Sequence, residues 1–286
     1  MDIAKGAQAV LSDEDWYETQ LLTRERVEAL ARHIRMDSLK MVHRAKASHI
    51  GSALSCADIL AVLYNGFMKV RGDKRSRFIM SKGHATVALY AALKHSGYDL
   101  DLETYGQDGS DLMHHASHKV PGVEFSTGSL GHGLPYGVGL ALASKRKREN
   151  WPVRVLVSDG ELQEGSNWEA IQFAAHHKLS NLIMIVDYNN LQSITTVEET
   201  LDIGPLASKL QTFGWKVKVI DGHNHQQIFR AMVQLFPSKK DEPPAALICK
   251  TVKGKGVSFM ENKVEWHYKY PNDEQLAQAL VEVQSA

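Results

Sequence analysis

The stretch from Val153 to Leu191 constrains the fold of this chain more than any other part of its sequence. It begins with the apolar, β-branched run Val153 to Val157, and a second such run extends from Leu182 to Val186. Runs of this kind are typical of strands that are buried on both faces of a parallel sheet. Apolar residues at roughly helical spacing lie between the two runs. The stretch therefore predicts one right-handed strand-helix-strand unit.

Oxygen-bearing side chains follow both predicted strands. Asp159 comes after the first strand and Asn189 after the second. Adjacent parallel strands end at one edge of the sheet, and open α/β sheets bind ligands at that edge. A carboxylate and an amide oxygen suit magnesium, which keeps few protein ligands and completes its octahedron with phosphate and water. Gly160 would let the backbone approach such phosphates closely, and the next helix can aim free N–H groups at them. The pair predicts a clamp for a magnesium diphosphate, although the same residues often only make turns.

The two motifs resemble the thiamine-diphosphate signature, in which Asp-Gly is followed one crossover unit later by Asn-Asn. The strings ELQEGSNWEA and VDYNN are similar to its transketolase version. This resemblance implies that Asp159, Asn189 and the main-chain carbonyl of Leu191 hold the metal. Ser158 stands where the family usually has glycine, and we expect this difference to change backbone freedom only slightly.

Four histidines lie in other segments that are similar to the same family. His49 is predicted on a loop between two helices, His84 lies in SKGHA, His115 precedes PGVEFSTGSLG, and His267 lies in the final string KTVKGKGVSFMENKVEWHYKYPNDEQL. The resemblance implies that His49 faces the reacting substrate and that His115 helps to bind it. It also implies that His84 and His267 approach the cofactor diphosphate, with His267 touching substrate as well. All four would handle hydroxyl protons and ligand oxygens, a task that suits imidazole. Each histidine taken alone would more often be a surface, capping or packed residue.

The register of the His115 assignment stays open, because His114, His118 and His132 lie nearby. A zinc site is the alternative for such a cluster, but no pair at helical spacing is joined by a third ligand in a convincing context.

The resemblance assigns further residues to the cofactor. It implies that the main chains of Gly128 and Leu130 contact the aminopyrimidine ring. Glu164 and Glu169 would sit at a dimer interface and connect two active sites through hydrogen bonds, although both also suit a solvated helix face near its N-terminus. The implied cofactor-binding set comprises His84, Gly128, Leu130, Asp159, Gly160, Glu161, Glu164, Glu169, Asn189 and His267.

The rest of the chain alternates between predicted helices and strands, with one long predicted loop from Gly97 to Gly128. Predicted helices cover Leu22 to Ala45, Ala57 to Phe67, Leu206 to Phe213 and Gln226 to Leu235, and predicted strands cover Arg77 to Met80, Lys216 to Ile220 and Ala245 to Lys250. The strand from Lys216 ends in Asp221, Gly222 and His223. This order favours an α/β fold, a largely parallel sheet with helices on both faces. The resemblance implies the thiamine-diphosphate-binding fold, in a single diphosphate-binding domain over residues 1–286.

Charge and cysteine usage exclude several classes of partner. Lys plus Arg and Asp plus Glu both number 33 among 286 residues, so no long-range field favours nucleic acid or an anionic membrane. Cys56 and Cys249 lie far apart and favour reduced thiols in the cytoplasm. The polar N-terminus has no signal-peptide core, and no apolar run approaches the length of a membrane span. We therefore expect a chain that is neither exported nor inserted in a membrane.

The resemblance covers nearly the whole chain, but only the first third to half of a full transketolase. In that family the glutamate that activates the cofactor, and the arginines that bind sugar phosphates, belong to a pyrimidine-binding domain, and we expect this domain on a separate chain rather than after Ala286. We expect the diphosphate-binding subunit of a split transketolase, a transferase that is inactive alone. With a separately encoded C-terminal subunit, as a dimer of heterodimers, it would transfer a two-carbon ketol unit from a ketose phosphate to an aldose phosphate. Its cofactors would be thiamine diphosphate and Mg²⁺, or another divalent cation such as Ca²⁺ or Mn²⁺.

Two alternatives stay open. The chain could serve another thiamine-diphosphate enzyme, such as a 1-deoxyxylulose-phosphate synthase or a keto-acid dehydrogenase component. It could also be a non-catalytic scaffold with the same fold.

Overall fold

Five strands form one sheet at the centre of the protein. The computed structural model describes residues 13–68, 75–149, 151–237 and 241–285, with side chains from Arg24 onward. The strands are β1 Arg77–Met80, β2 Val153–Ser158, β3 Leu182–Tyr188, β4 Lys216–Asp221 and β5 Ala245–Lys250. Their order across the sheet is β1-β2-β3-β5-β4, and every neighbouring pair is parallel. This confirms the predicted α/β class.

Helices cover both faces of the sheet. They are α1 Asp13–Ala45, α2 Ile50–Ser55, α3 Ala57–Val62, α4 Thr86–His95, α5 Gly133–Lys147, α6 Gly165–His176, α7 Val197–Leu201, α8 Leu206–Thr212, α9 His225–Leu235 and α10 Asp273–Ser285. One apolar core lies between the sheet and helices that include α1, α3, α4 and α9, and the other between the sheet and α5, α6 and α8. Alternate residues of β3 enter opposite cores, since Ile183 and Ile185 face the first core and Met184 the second. Burial on both faces explains the unbroken apolar runs in the sequence.

The predicted strand-helix-strand unit is confirmed. Strands β2 and β3 are direct neighbours, with Val153 opposite Leu182 and Ser158 opposite Asp187, and α6 connects them. The prediction that the second strand stops at Val186 is wrong, because β3 continues through Tyr188. Asp187 can stay in a buried strand because Lys82, Ser55 and Thr251 all donate to its carboxylate.

Helix boundaries differ from the prediction at two places. Helix α1 begins at Asp13 rather than Leu22, so it starts well before the apolar pattern from which it was predicted. The predicted helix from Ala57 to Phe67 is confirmed, but α3 itself ends at Val62 because the helix continues as a π-helix over Leu63–Phe67. The long loop is confirmed, apart from one 3₁₀ turn at Leu102–Thr104.

In the part of the chain that the structure describes, no helix is both long and apolar enough to cross a membrane. The first twelve residues, on which the signal-peptide expectation rests, lie outside that part.

Candidate functional site

The four predicted histidines lie together beside the carboxyl ends of the strands. The ring centroid of His49 is 4.8 Å from that of His267, 5.5 Å from that of His84 and 6.0 Å from that of His115. The rings of His84 and His267 are 5.8 Å apart. Residues that are far apart in sequence therefore form one compact imidazole cluster.

Backbone contacts hold the four histidines in place. His49 has a φ of 75° immediately before α2, and its N–H donates to the carbonyl of His267 at 2.7 Å. His84 lies in the 3₁₀ turn that follows β1. A Cβ added at Gly128 would come within 3.1 Å of the His115 ring, so the absence of a side chain there lets His115 lie against the glycine-rich loop.

The imidazoles of this cluster are neutral near pH 7. Burial, followed by the nearby His115 and Lys253, lowers the pKa of His49 to about 4. Burial and Lys253 lower the pKa of His267 to about 3. Burial also holds the pKa of His84 well below its usual value and lowers the pKa of His115. The cluster can thus donate and accept hydrogen bonds without carrying charge.

The predicted metal ligands form a second group at the ends of β2 and β3. Asp159 is 1% exposed, and its carboxylate accepts hydrogen bonds from the N–H groups of Gly160, at 2.8 Å, and Asn190. The side-chain oxygen of Asn189 accepts from the N–H of Leu191 at 3.1 Å. Asn190 has a φ of 61°, a left-handed conformation that asparagine tolerates and that turns the chain here.

This donor set fits a hard divalent cation. Burial and the neighbouring Asp187 raise the pKa of Asp159 to about 6, although Lys82 acts in the opposite direction. A bound cation would stabilise the ionised form of this buried carboxylate. The carboxylate, the amide oxygen of Asn189 and the carbonyl of Leu191 are all oxygen donors, which Mg²⁺ prefers. Among the residues that the structure describes, no group of three or more His, Cys, Asp or Glu side chains is arranged to hold a metal ion. A metal here would therefore depend on amide and carbonyl oxygens as well as on Asp159.

Lys253 joins the two groups, and sequence reasoning missed it. It is 1% exposed, and its Nζ donates to the carbonyls of Leu191 at 3.2 Å and Gln192 at 2.8 Å. The same Nζ lies 3.0 Å from Nδ1 of His267. Burial and the like charge of Lys82 lower the pKa of Lys253 to about 8. The signal was a lysine within a glycine-rich turn after a predicted strand, but sequence alone does not show that such a lysine is buried.

Lys82 is a second buried lysine that the sequence reasoning did not single out. Its Nζ pairs with Asp187 and donates to the carbonyl of Ser52 at 3.0 Å. It lies in SKGHA, directly before the 3₁₀ turn that carries His84. The ion pair ties the end of β1 to the end of β3.

Glu161 lies between three loops of the site. Its buried carboxylate accepts from the hydroxyl of Ser81, from the N–H of Gly131 at 3.0 Å and from the N–H of Ser158 at 3.3 Å. In return the hydroxyl of Ser158 accepts from the N–H of Glu161 at 3.3 Å, a reciprocal capping arrangement. Ser158, which stands where the family usually has glycine, therefore accepts a hydrogen bond that glycine could not accept. This goes beyond the expected slight change in backbone freedom.

The remaining predicted residues surround this centre. Glu164 and Glu169 are exposed at the start and on the outer face of α6, and Leu130 is half-buried in the glycine-rich loop. Of the other histidines in that region, His114 packs on Tyr105 at 5.4 Å between ring centroids and His118 bonds to Ser126. Within this loop, it is the ring of His115 that lies near the ring of His49.

Comparisons with known proteins agree on one family. Residues 26–281 match the family described as transketolase, thiamine diphosphate binding domain. The chain is 41% identical over 253 residues to one subunit of an apulose-4-phosphate transketolase from Phocaeicola vulgatus, covering 86% of this chain and 89% of that protein. It is 35% identical over 260 residues to a 6-deoxy-6-sulfo-D-fructose transketolase subunit from a Clostridium species, covering 88% of this chain and 94% of the relative.

Full transketolases match over part of their length only. The chain is 34% identical to Homo sapiens transketolase over 262 residues, which is 88% of this chain and 41% of that protein. A crystal structure of transketolase from Campylobacter jejuni superposes with a TM-score of 0.84 at 32% identity, covering 91% of this chain and 43% of that one. This chain therefore spans about two fifths of those proteins.

Proposed function

Because the chain belongs to the family of transketolase thiamine diphosphate binding domains, we propose that it is the cofactor-binding subunit of a two-subunit transketolase. Relatives named as transketolase subunits are matched over nearly their whole length, whereas full transketolases extend well beyond the match. We propose that residues 1–286 form a single diphosphate-binding domain. A separate chain would carry the pyrimidine-binding domain, in a dimer of heterodimers.

The observation that carries this proposal is the convergence of the histidine cluster and the Asp159 loop on one buried lysine. Lys253 contacts the carbonyl of Leu191 on one side and His267 on the other. His267 accepts from the ammonium at Nδ1, so its proton lies on Nε2, where it can donate to an anionic oxygen. We propose that Lys253, His84 and His267 bind the cofactor diphosphate.

The opposite side of the site would hold the metal. We propose that Asp159, Asn189 and the carbonyl of Leu191 bind Mg²⁺, with Ca²⁺ or Mn²⁺ as substitutes, since oxygen donors suit all three ions. Gly160 follows Asp159 directly and would let the backbone approach the diphosphate. Glu161 would set the relative positions of the loops through its three hydrogen bonds, rather than contact the cofactor.

When bound, thiamine diphosphate supplies the carbon that takes up and releases the two-carbon unit. We propose that the main chains of Gly128 and Leu130 contact its aminopyrimidine ring. The neutral imidazoles of His49 and His115 would accept and return protons of the sugar hydroxyls, since an uncharged imidazole can do both. The exposed carboxylates of Glu164 and Glu169 would hydrogen-bond across an interface between subunits.

The proposed reaction is transfer of a ketol unit from a ketose phosphate to an aldose phosphate. Relatives are named for apulose 4-phosphate and for 6-deoxy-6-sulfo-D-fructose, which are both sugars with an anionic terminal group. We propose a sugar of this class. Because Cys56 and Cys249 are both buried free thiols, we also propose a cytoplasmic location.

Reconstitution tests this function. The chain would be co-expressed with a chain that carries a transketolase pyrimidine-binding domain, and ketol transfer would be measured with thiamine diphosphate and Mg²⁺. We expect activity only from the mixture. Asp159→Ala should abolish it, whereas the matched exposed variant His118→Gln should retain it. Activity that persists in Asp159→Ala would contradict the metal assignment, and turnover with pyruvate as donor would point to a different thiamine-diphosphate reaction.

A further inference from the structure

A buried charged cluster lies outside the site and is centred on Asp58. This carboxylate is 5% exposed and forms a two-pronged ion pair with the guanidinium of Arg35, with Nη1 at 3.1 Å from Oδ1. His223 Nδ1 lies 2.7 Å from Oδ2, and His225 Nε2 lies 2.8 Å from Oδ1. Although burial alone would raise it, the pKa of Asp58 is held well below its usual value by Arg35 and the two imidazoles. The carboxylate is therefore ionised and accepts from three side chains.

The second nitrogen of His223 reaches the segment that carries Lys253. Nε2 of His223 accepts a hydrogen bond from the N–H of Val252 at 2.8 Å. A backbone N–H can only donate, so Nε2 is unprotonated and the ring proton lies on Nδ1, where it donates to Asp58. This fixes both the tautomer and the orientation of the imidazole.

Arg35 holds the other end of the same segment. Its Nε donates to the carbonyl of Lys255 at 3.1 Å, while its Nη atoms bind Asp58. The cluster thus hydrogen-bonds the backbone at Val252, one residue before Lys253, and at Lys255, two residues after it. A third anchor comes from the N–H of Gly254, which donates to the carbonyl of Gly51 at 3.0 Å.

The turn after β4 positions His223 between Asp58 and the N–H of Val252. The N–H of Gly222 donates to the carbonyl of Lys250 at 2.8 Å. A Cβ at Gly222 would lie 2.5 Å from Cγ2 of Thr251 and 2.9 Å from Cβ of Cys249, so only glycine lets the two strand ends approach this closely. The Asp-Gly-His string that follows the predicted strand in the sequence therefore has a structural role.

We propose that Arg35, Asp58 and His223 are positioning residues that set the place of the Lys253 ammonium in the cofactor site. The hydrogen bonds recorded for their side chains go to one another, to His225 and to the backbone on either side of Lys253, and through that backbone they act on the ammonium. The inference rests on the proposed function only where it says that the positioned ammonium binds a diphosphate. The recorded side-chain bond of His225 goes to Asp58 rather than to the Lys253 segment, and so this histidine offers a matched control.

Trace acetylation of the full-length chain without cofactor tests the positioning. The acetylation rate of Lys253 would be measured by peptide mass spectrometry against exposed Lys147 as internal reference. We expect His223→Ala to raise the relative rate about fivefold, the equivalent of one lost hydrogen bond. We expect His225→Ala to leave it unchanged. His223→Gln, whose amide can donate and accept in the same places, should restore most of the protection. Equal rates in His223→Ala and the wild type would overturn the proposal, as would an equal rise in both alanine variants.

Thiamine diphosphate titrations with Mg²⁺ separate this inference from the proposed function. They would be run on the same full-length variants in complex with the partner chain. We expect His223→Ala to weaken binding about fivefold in the wild-type background and to have no further effect in Lys253→Met. A full additional loss in Lys253→Met would mean that His223 acts on the site by another route and would overturn the proposal. If acetylation changes as expected but Lys253→Met binds the cofactor normally, the positioning is supported and the proposed diphosphate contact of Lys253 is wrong.

Discussion

Asp159→Asn should stabilise the chain in the absence of metal and cofactor. The carboxylate is buried, and its pKa is raised to about 6 from an ordinary 3.8. At about 1.4 kcal/mol per pKa unit, this gap means that the ionised group costs the fold about 3 kcal/mol at neutral pH. Asparagine carries no charge and removes that cost.

The substitution also loses one hydrogen bond. The carboxylate accepts from the N–H groups of Gly160 and Asn190, whereas the single oxygen of asparagine can accept from one of them. The loss costs about 1 kcal/mol, which leaves a net gain of about 2 kcal/mol. For a chain of this size, the melting temperature should rise by roughly 4 °C.

The pH dependence of stability is a second test of whether the ionised Asp159 carboxylate destabilises the fold. Because the folded state holds the Asp159 proton more tightly, the penalty is present above about pH 6 and disappears as the pH falls through 6 toward 3.8. By pH 5 the penalty should fall from about 3 to about 1.6 kcal/mol. Because the lost hydrogen bond costs about 1 kcal/mol at either pH, the difference in melting temperature between variant and wild type should shrink to about a third.

Differential scanning fluorimetry at pH 7.5 and pH 5, with and without Mg²⁺ and thiamine diphosphate, measures all of these effects. Ligands should raise the melting temperature of the wild type and leave Asp159→Asn unchanged, which reverses the order of stability. Asp108→Asn, at an exposed loop position, is the control and should change neither value. A lower melting temperature for Asp159→Asn at pH 7.5 without ligands, or a difference that does not depend on pH, would refute the reasoning.

Three further predictions concern other residues of the site. Lys253→Met should weaken thiamine diphosphate binding by calorimetry on the order of tenfold to a hundredfold, because it removes a charged hydrogen-bond donor; wild-type affinity would contradict its role. The pKa values of His49 and His267 are lowered to about 4 and about 3, so neither imidazole should gain a proton near pH 6.5. The ketol-transfer rate of the reconstituted enzyme, measured against pH, should therefore show no decline near pH 6.5 that is due to His49. A decline in the wild type that is absent from His49→Gln would contradict the neutral imidazole. Glu161→Ala should lower the free energy of unfolding in urea by about 3 kcal/mol, because it leaves buried donors without an acceptor. Ser158→Gly should lower it by only a few tenths of a kcal/mol. Equal losses would contradict the role of the Glu161 carboxylate in joining the three loops.

Local pattern explains why much of the fold could be predicted. The apolar runs of β2 and β3 and the short strand Arg77–Met80 are set by burial within a few residues, and the structure has them where the pattern indicates. The continuation of β3 through Asp187 could not be predicted in this way. A carboxylate inside a strand is stable only because Lys82 meets it from a distant segment.

The residues of the site likewise fall into those that the local sequence indicates and those that depend on distant segments. Asp159 and Asn189 could be singled out because they follow strands, and the resemblance to a family supplied the histidines. The resemblance also implied Glu161 as a cofactor residue, but the hydrogen bonds by which it joins three loops could not be predicted, and Lys253 was not singled out at all. Both features depend on burial between loops that are far apart in sequence. The roles of all these residues in binding the cofactor and the metal are still predictions.

A structure of the chain bound to its partner, thiamine diphosphate and Mg²⁺ would test the central claim most directly. We predict that the diphosphate lies between Lys253 and His267 on one side and a metal ion held by Asp159, Asn189 and the Leu191 carbonyl on the other. A diphosphate bound elsewhere, or a metal that does not contact Asp159, would contradict the account.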